Sequence, residues 1–175
     1  EWYQEQWRFD HTEPDQRRLG STPLVWAAVG AIPEQLVDEP CRPRLRLRHV
    51  PLEKCPPWLG VDRALGAWEA WQRELHCSTP SDRGLLLADA GTVLSLTLLD
   101  RYGHFLGGQL IPGLHLQLRS MGLATSLLPG DVKLEMGPDE LFPAATDQAM
   151  RRGVIQSIVA SVEDAQRTSG ASLWV

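Results

Sequence analysis

No apolar stretch in the 175 residues approaches the roughly 18 that a membrane helix needs. The basic, apolar and small-residue succession of a secretory leader is not visible either. Basic residues are outnumbered, 17 against 22 acidic, for a net charge of −5. That excludes broad electrostatic binding to nucleic acid or to an anionic membrane, both of which need a positive face. Cysteine is scarce: Cys41, Cys55 and Cys77 are an odd number with no C-x-x-C pair, so reduced thiols are expected and no disulfide framework. The histidines (His11, His49, His76, His104, His115) lack zinc-ligand spacing. The adjacent pair His76–Cys77 reads as packing or surface, not as a thiol–imidazole site. What is present is ordinary globular usage, 43% apolar and 22% charged. A mass of 19.5 kDa fits one compact domain or two small lobes. A cytoplasmic protein is the expectation.

Leu24 to Val29 is a continuous apolar run stopped by Gly30 and Pro33, the pattern of a buried parallel strand. Ala31 to Pro43 reads as surface connection. In RLRLRHV, Leu45, Leu47 and His49 alternate with Arg44, Arg46 and Arg48, which predicts an edge strand with one buried and one arginine face. A phosphate contact is the functional alternative for those arginines. After a proline-punctuated loop from Pro51 to Pro57, the spacing of Leu65, Trp68, Trp71 and Leu75 predicts a helix to about His76. Ser78 to Gly84 is the clearest break and divides the chain into lobes over 1–80 and 81–175. Leu85 to Ala88, Val93 to Leu99 and His104 to Ile111 then form a β-meander with turns at Asp89 to Thr92 and Asp100 to Gly103. Leu114, Leu118 and Met121 mark a helix, Pro129 to Pro143 a loop. A long helix starts near Thr146 with Asp147 in its first turn, and a strand begins at Leu173. The small residues Gly153, Ser157 and Ser161 would let another helix approach closely. The order β-β-β-α-α plus a strand matches half of a ribonuclease-H-like α/β lobe.

Asp89-Ala90-Gly91-Thr92 sits where a strand breaks into a hairpin. A glycine there can present backbone amides and the threonine hydroxyl to phosphate oxygens, with a cation between them and the aspartate. The plainer reading is a β-turn in which Asp89 caps its own backbone. Asp62, beside Arg63 at a helix start, fits an N-cap or a general base facing a cleft, the arginine binding an anionic group. Gly107-Gly108 fits a bulge or a close approach. Thr146 alone reads as an N-cap.

Taken in order, G-V-D-R, D-A-G-T, L-G-G-Q-L-I-P-G-L and the T-x-x-A-x-x-x-G helix start (Thr146, Ala149, Gly153) resemble the type III pantothenate kinases, also called the Bvg accessory factor family. The resemblance extends from about Pro51 to Val175, and the lead-in P-W-L-G-V-D-R-A-L is similar to cyanobacterial members. It implies an α/β, ribonuclease-H-like two-lobe fold of the acetate-and-sugar-kinase/Hsp70/actin superfamily. It also implies a homodimer with active sites at the interface, and ATP-dependent phosphorylation of pantothenate with Mg²⁺ and a monovalent cation, K⁺ or NH₄⁺. Carried over by position, Asp62 resembles the catalytic base, and Gly60, Val61, Asp62 and Arg63 the pantothenate-binding segment. Asp89 resembles the monovalent-cation ligand, Gly91 and Thr92 the ATP contact, and Thr146 the threonine that reaches the other subunit's pantothenate.

The family's D-x-G-N-T phosphate loop and its T-G-G segment are not among these residues. Its tyrosine before G-x-D-R is not visible, and Val93 stands where alanine is usual. A chain truncated at both ends, with no turnover by itself, is therefore expected. The alternative is a non-catalytic interaction protein on the same fold.

Overall fold

A computed structural model describes residues 2–3, 6–7, 25–30, 32, 43–130, 132 and 140–175. Strands β1 (Trp2–Tyr3) and β2 (Gln6–Trp7) form a small antiparallel ribbon. Helix α1 spans Val61–Leu75, followed by β3 (Leu85–Ala90), β4 (Val93–Leu99) and β5 (Phe105–Pro112). Helices α2 (Leu114–Ala124) and α3 (Thr146–Ser169) come next, then β6 (Ser172–Trp174). The expected meander is there: the sheet order is β5-β4-β3-β6, antiparallel except for the β3–β6 pair. The result is a mixed α/β arrangement.

The run Leu85-Leu86-Leu87-Ala88 is apolar at every position because both faces of β3 are covered. Leu85 and Leu87 meet Ala64, Ala67 and Ala70 of α1 in one core, which also holds Leu99, Val50 and Leu52. Leu86 and Ala88 meet Ile158, Val162 and Ala165 of α3 in another, with Leu94 and Leu96. A third cluster, Leu118, Met150 and Val154, joins α2 to α3.

Three expectations are corrected. The face of α1 against the sheet is the small stripe Val61, Ala64, Ala67, Ala70, one position before the bulky residues. Alanines let the helix axis come close, whereas Leu65, Trp68 and Trp71 are half-buried along its flanks and Leu75 is exposed. Trp71 lies flat on Gly103, where φ is +81° and a Cβ would stand 2.6 Å from the indole. Residues 44–50 are not a strand: Arg44 makes a single bridge to Trp26, and Leu47–His49 is a 3-10 turn. Pro43 and Pro51 remove ladder donors at both ends of the segment. Its inward side is partly as expected, since Leu45 and Leu47 pack on the α1 core, but His49 is exposed. Finally, Trp26 pairs with Arg44 in an isolated bridge, and Val25 and Val29 are exposed, so the described residues 25–30 are no buried strand. Leu24, Cys41 and most of the 31–43 connection lie outside the described residues.

Glu74 locks the sheet to α1. Only 5% exposed, its carboxylate accepts the Ser81 N–H at 2.8 Å and the Trp174 Nε1–H at 2.8 Å. Burial raises its proton affinity, but the hydrogen bonds from Trp174, Ser81 and Ser172 outweigh it and hold the group below its ordinary value. The unfolded chain thus binds the proton more readily than the folded one. The stability contributed is full at neutral pH and is lost as pH falls from about 4.5 through the lowered folded value. Glu74→Gln is expected to cost about 1–3 kcal/mol at pH 7, because one donor loses its acceptor. The gap to wild type should narrow in urea titrations near pH 4. An equal gap at both pH values would show that the charge plays no part.

Candidate active site

The side chains of β4 alternate between the two cores, and the side facing α1 carries Ser95 and Thr97 instead of leucine. Thr97 is fully buried, and its Oγ1 accepts the Nε–H of Arg63 at 2.7 Å. The Leu96 carbonyl accepts from Nη2 of the same guanidinium at 2.7 Å, and the Phe105 ring lies 5.9 Å from its carbon. Gly108 makes this possible, since a Cβ there would collide with Arg63 Nη2 and with the Leu96 carbonyl oxygen. Close approach is thus the role of Gly108, while Gly107 (φ +144°) sits beside the irregularity at Leu98/Leu99. Burial pushes the Arg63 guanidinium down from its ordinary value, and the neighbouring Asp62 charge acts in the opposite direction.

Asp62 is not the N-cap; that position is Gly60, and Asp62 belongs to the first turn of α1. Its Oδ1 accepts the Arg63 backbone N–H at 2.7 Å. A Cβ on residue 60 would stand 2.5 Å from that oxygen, so glycine there lets the carboxylate fold back over the helix start. The helix dipole favours a carboxylate at this place. Thr146 is likewise the first helical residue after an Ala145 cap.

Asp89, the last but one residue of β3, lies directly opposite Ser95, and among the described residues no hydrogen bond from its side chain to its own backbone appears. The turn beyond it differs from an outward-facing nest, because the Gly91 N–H is engaged by the Val93 carbonyl at 3.3 Å. Gly113 donates to the Thr92 carbonyl at 2.9 Å and has no room for a Cβ against the Gly91 and Thr92 carbonyls.

Asp62 and Asp89, 27 positions apart, line one open cleft of about 480 Å³ together with Gly60, Arg63, Gly91, Thr92 and Ser95. Trp58, Leu59, Val29, Val93 and Leu110 complete its walls. Thr92 also borders a neighbouring hollow of about 400 Å³ walled by His115, Arg119 and Gly130. Val61 is buried and outside the lining of this cleft, and Thr146, exposed on α3, is outside it as well. Thr97 and Ser95 were not anticipated; two polar residues on alternate positions of a leucine strand were the available signal. The pair His76–Cys77 is used locally, His76 Nδ1 against the Gln72 carbonyl and the Cys77 thiol against that of Arg73. No helix among the described residues is long and apolar enough to cross a membrane.

Fold and cleft define the class: a mixed α/β domain whose polar crevice opens where β3 turns into β4 beside a helix start. A family profile described as type III pantothenate kinase matches residues 42–168, and the chain belongs to that family. It is 36% identical over 152 residues to a type III pantothenate kinase of Synechococcus elongatus, covering 85% of this chain and 57% of the relative. A type III pantothenate kinase of Dechloromonas aromatica is 36% identical over 123 residues, 70% of this chain and 47% of its own. The chain thus spans about half the length of these curated relatives. A Campylobacter jejuni crystal structure described as a Baf family transcriptional activator shares the fold, with a TM-score of 0.51 and 19% identity over 70% of this chain and 53% of that one.

Proposed function

We propose that the protein containing these residues transfers the γ-phosphoryl group of ATP to the primary hydroxyl of pantothenate, giving 4'-phosphopantothenate on the way to coenzyme A. The observation that carries this reading is the shared cleft of Asp62, Arg63, Asp89 and Thr92. Phosphoryl transfer requires mainly positioning and charge neutralisation, so one acid at the acceptor hydroxyl and another at a cation are what the chemistry calls for. Asp62 takes the hydroxyl proton. Arg63, with Nε and one Nη2 hydrogen committed to the sheet, keeps Nη1 for the pantothenate carboxylate. Thr92, between the cleft and the neighbouring hollow, contacts the ATP phosphates through its hydroxyl, and Gly91, whose amide is taken by Val93, lets them approach with no Cβ in the way.

Asp89 fits a monovalent cation, K⁺ or NH₄⁺: its carboxylate is exposed on the cleft, with the Ser95 residue opposite as a second oxygen donor. Bound there, and with Mg²⁺ on the phosphates, such cations supply charge neutralisation. We assign the chain to the acetate-and-sugar-kinase/Hsp70/actin superfamily, with lobes dividing at Ser78 to Gly84. The homodimer, with Thr146 reaching a partner's substrate, is supported by the exposure of Thr146 on α3 away from its own cleft. A cytoplasmic location and no nucleic-acid or membrane partner accompany this reading. The non-catalytic alternative is not favoured, since the named curated relatives are kinases. Coupled ADP release is the test: it should require pantothenate and rise with K⁺. ADP release indifferent to pantothenate would refute the substrate.

A further inference from the structure

The three arginines of the RLRLRHV tract have no part in the proposed reaction, yet the fold gathers them. Arg44, Arg46 and Arg48 line a groove of about 390 Å³, floored by Leu45, Leu47 and Pro57. The groove shares Val29, Leu59 and Gly60 with the cleft, so the two hollows have one common wall. Among the described residues no carboxylate lines it, although the chain as a whole is acidic.

The donors of this cluster are poorly used. Among the described residues, none of the three guanidiniums is ion-paired. The Nε of Arg44 is buried with no acceptor, while its guanidinium lies over the Trp26 ring, 5.2 Å from the centroid. Arg48 spends its Nε on His49 at 3.2 Å, leaving its terminal nitrogens. Three like charges held together repel one another, and an anion among them removes that repulsion. Guanidinium forks match phosphate oxygens two at a time. Gly60, on the shared wall, is also the N-cap of the 15-residue helix α1, whose dipole adds to the positive field.

We propose that this groove is a second binding site, taking the phosphate group of a small phosphorylated molecule beside the cleft. Occupancy of one hollow then alters the fit of a ligand in the other through Leu59 and Gly60. The site is independent of pantothenate: it stands if the cleft serves another substrate.

Calorimetric titration of the 175-residue chain with pyrophosphate and with glycerol 3-phosphate tests this. At low salt one of the two probes should bind with a Kd of about 1 mM or tighter. The tighter of the two tells whether a diphosphate or a monoester end is the natural one. In the double variant Arg46→Gln/Arg48→Gln the affinity should fall by roughly tenfold or more. Arg46→Lys/Arg48→Lys, which keeps the charge and loses the fork, should fall between. Arg101→Gln, whose arginine lines neither hollow, should bind like wild type, which separates this groove from arginine in general. Thermal melting of each variant confirms that the fold is intact. Undetectable binding of both probes to wild type, or equal binding by the folded Gln/Gln variant, overturns the proposal.

Discussion

Replacing Asp62 by asparagine is expected to lower pantothenate-dependent ADP release by roughly 10²–10⁴-fold, the usual weight of a positioned general base. The assay uses protein that carries the family's phosphate loop. The change conserves shape, and the carboxamide oxygen can still accept the Arg63 N–H that Oδ1 accepts now. Asp62 is exposed and in no core cluster, so the melting temperature should move little. KM for pantothenate should change far less than kcat, because the proposed arrangement gives the substrate's carboxylate to Arg63 and not to Asp62. A variant that turns over at the wild-type rate would remove the base from the mechanism. One in which KM rises while kcat is kept would make Asp62 a binding residue instead.

Gly108→Ala should produce the largest loss of both stability and binding for one added methyl group. Its Cβ would enter space held by the Leu96 carbonyl oxygen and by Arg63 Nη2. The carbonyl cannot yield without disturbing the β4–β5 ladder, where Leu96 faces Gln109 and Thr97 faces Gly108. Overpacking of this kind costs about 1–3 kcal/mol. In a chain of this size that lowers the melting temperature by about 2–12 °C. Arg63 is the movable party, so its guanidinium should leave the Thr97 hydroxyl and the cleft. Pantothenate affinity would then fall by roughly tenfold or more, as when a charged hydrogen-bond donor is lost. Thr97→Val provides the comparison: it removes the Arg63 anchor without filling space, so binding should weaken with a smaller stability loss. If Gly108→Ala melts and binds like wild type, the clamp on Arg63 is not as described.

The elements whose pattern reports burial on both sides were legible. Leu85 to Ala88 reads as a strand because two helices cover it, and α3 reads from Asp147 in its first turn and the paired apolar positions behind it. Where bulk stood in for burial, the reading slipped. Leu65, Trp68 and Trp71 outweigh Ala64, Ala67 and Ala70 in any hydrophobic pattern, yet the sheet selects the small residues because they allow approach. The arginine tract has a clean period of two, but flanking prolines and a lone bridge to Trp26 decide its shape.

Of the site, Asp62 and Asp89 were visible as motif residues, and the cleft brings them together. Spacing could not reveal the partners of Arg63. Thr97 is 34 positions away and acts through a buried hydroxyl, which only the pairing of α1 with β4 brings into reach. The amide of Gly91 was misjudged for a related reason: a turn's glycine can face inward as easily as outward, and the Val93 carbonyl takes it.

The reaction itself can be watched by ³¹P NMR of ATP and pantothenate with protein carrying the phosphate loop. If two distant carboxylates share one phosphoryl-transfer crevice, a phosphate-monoester resonance of 4'-phosphopantothenate grows with wild type and is absent with Asp62→Asn. Inorganic phosphate appearing alone, or the ester forming equally fast with Asp62→Asn, would contradict it.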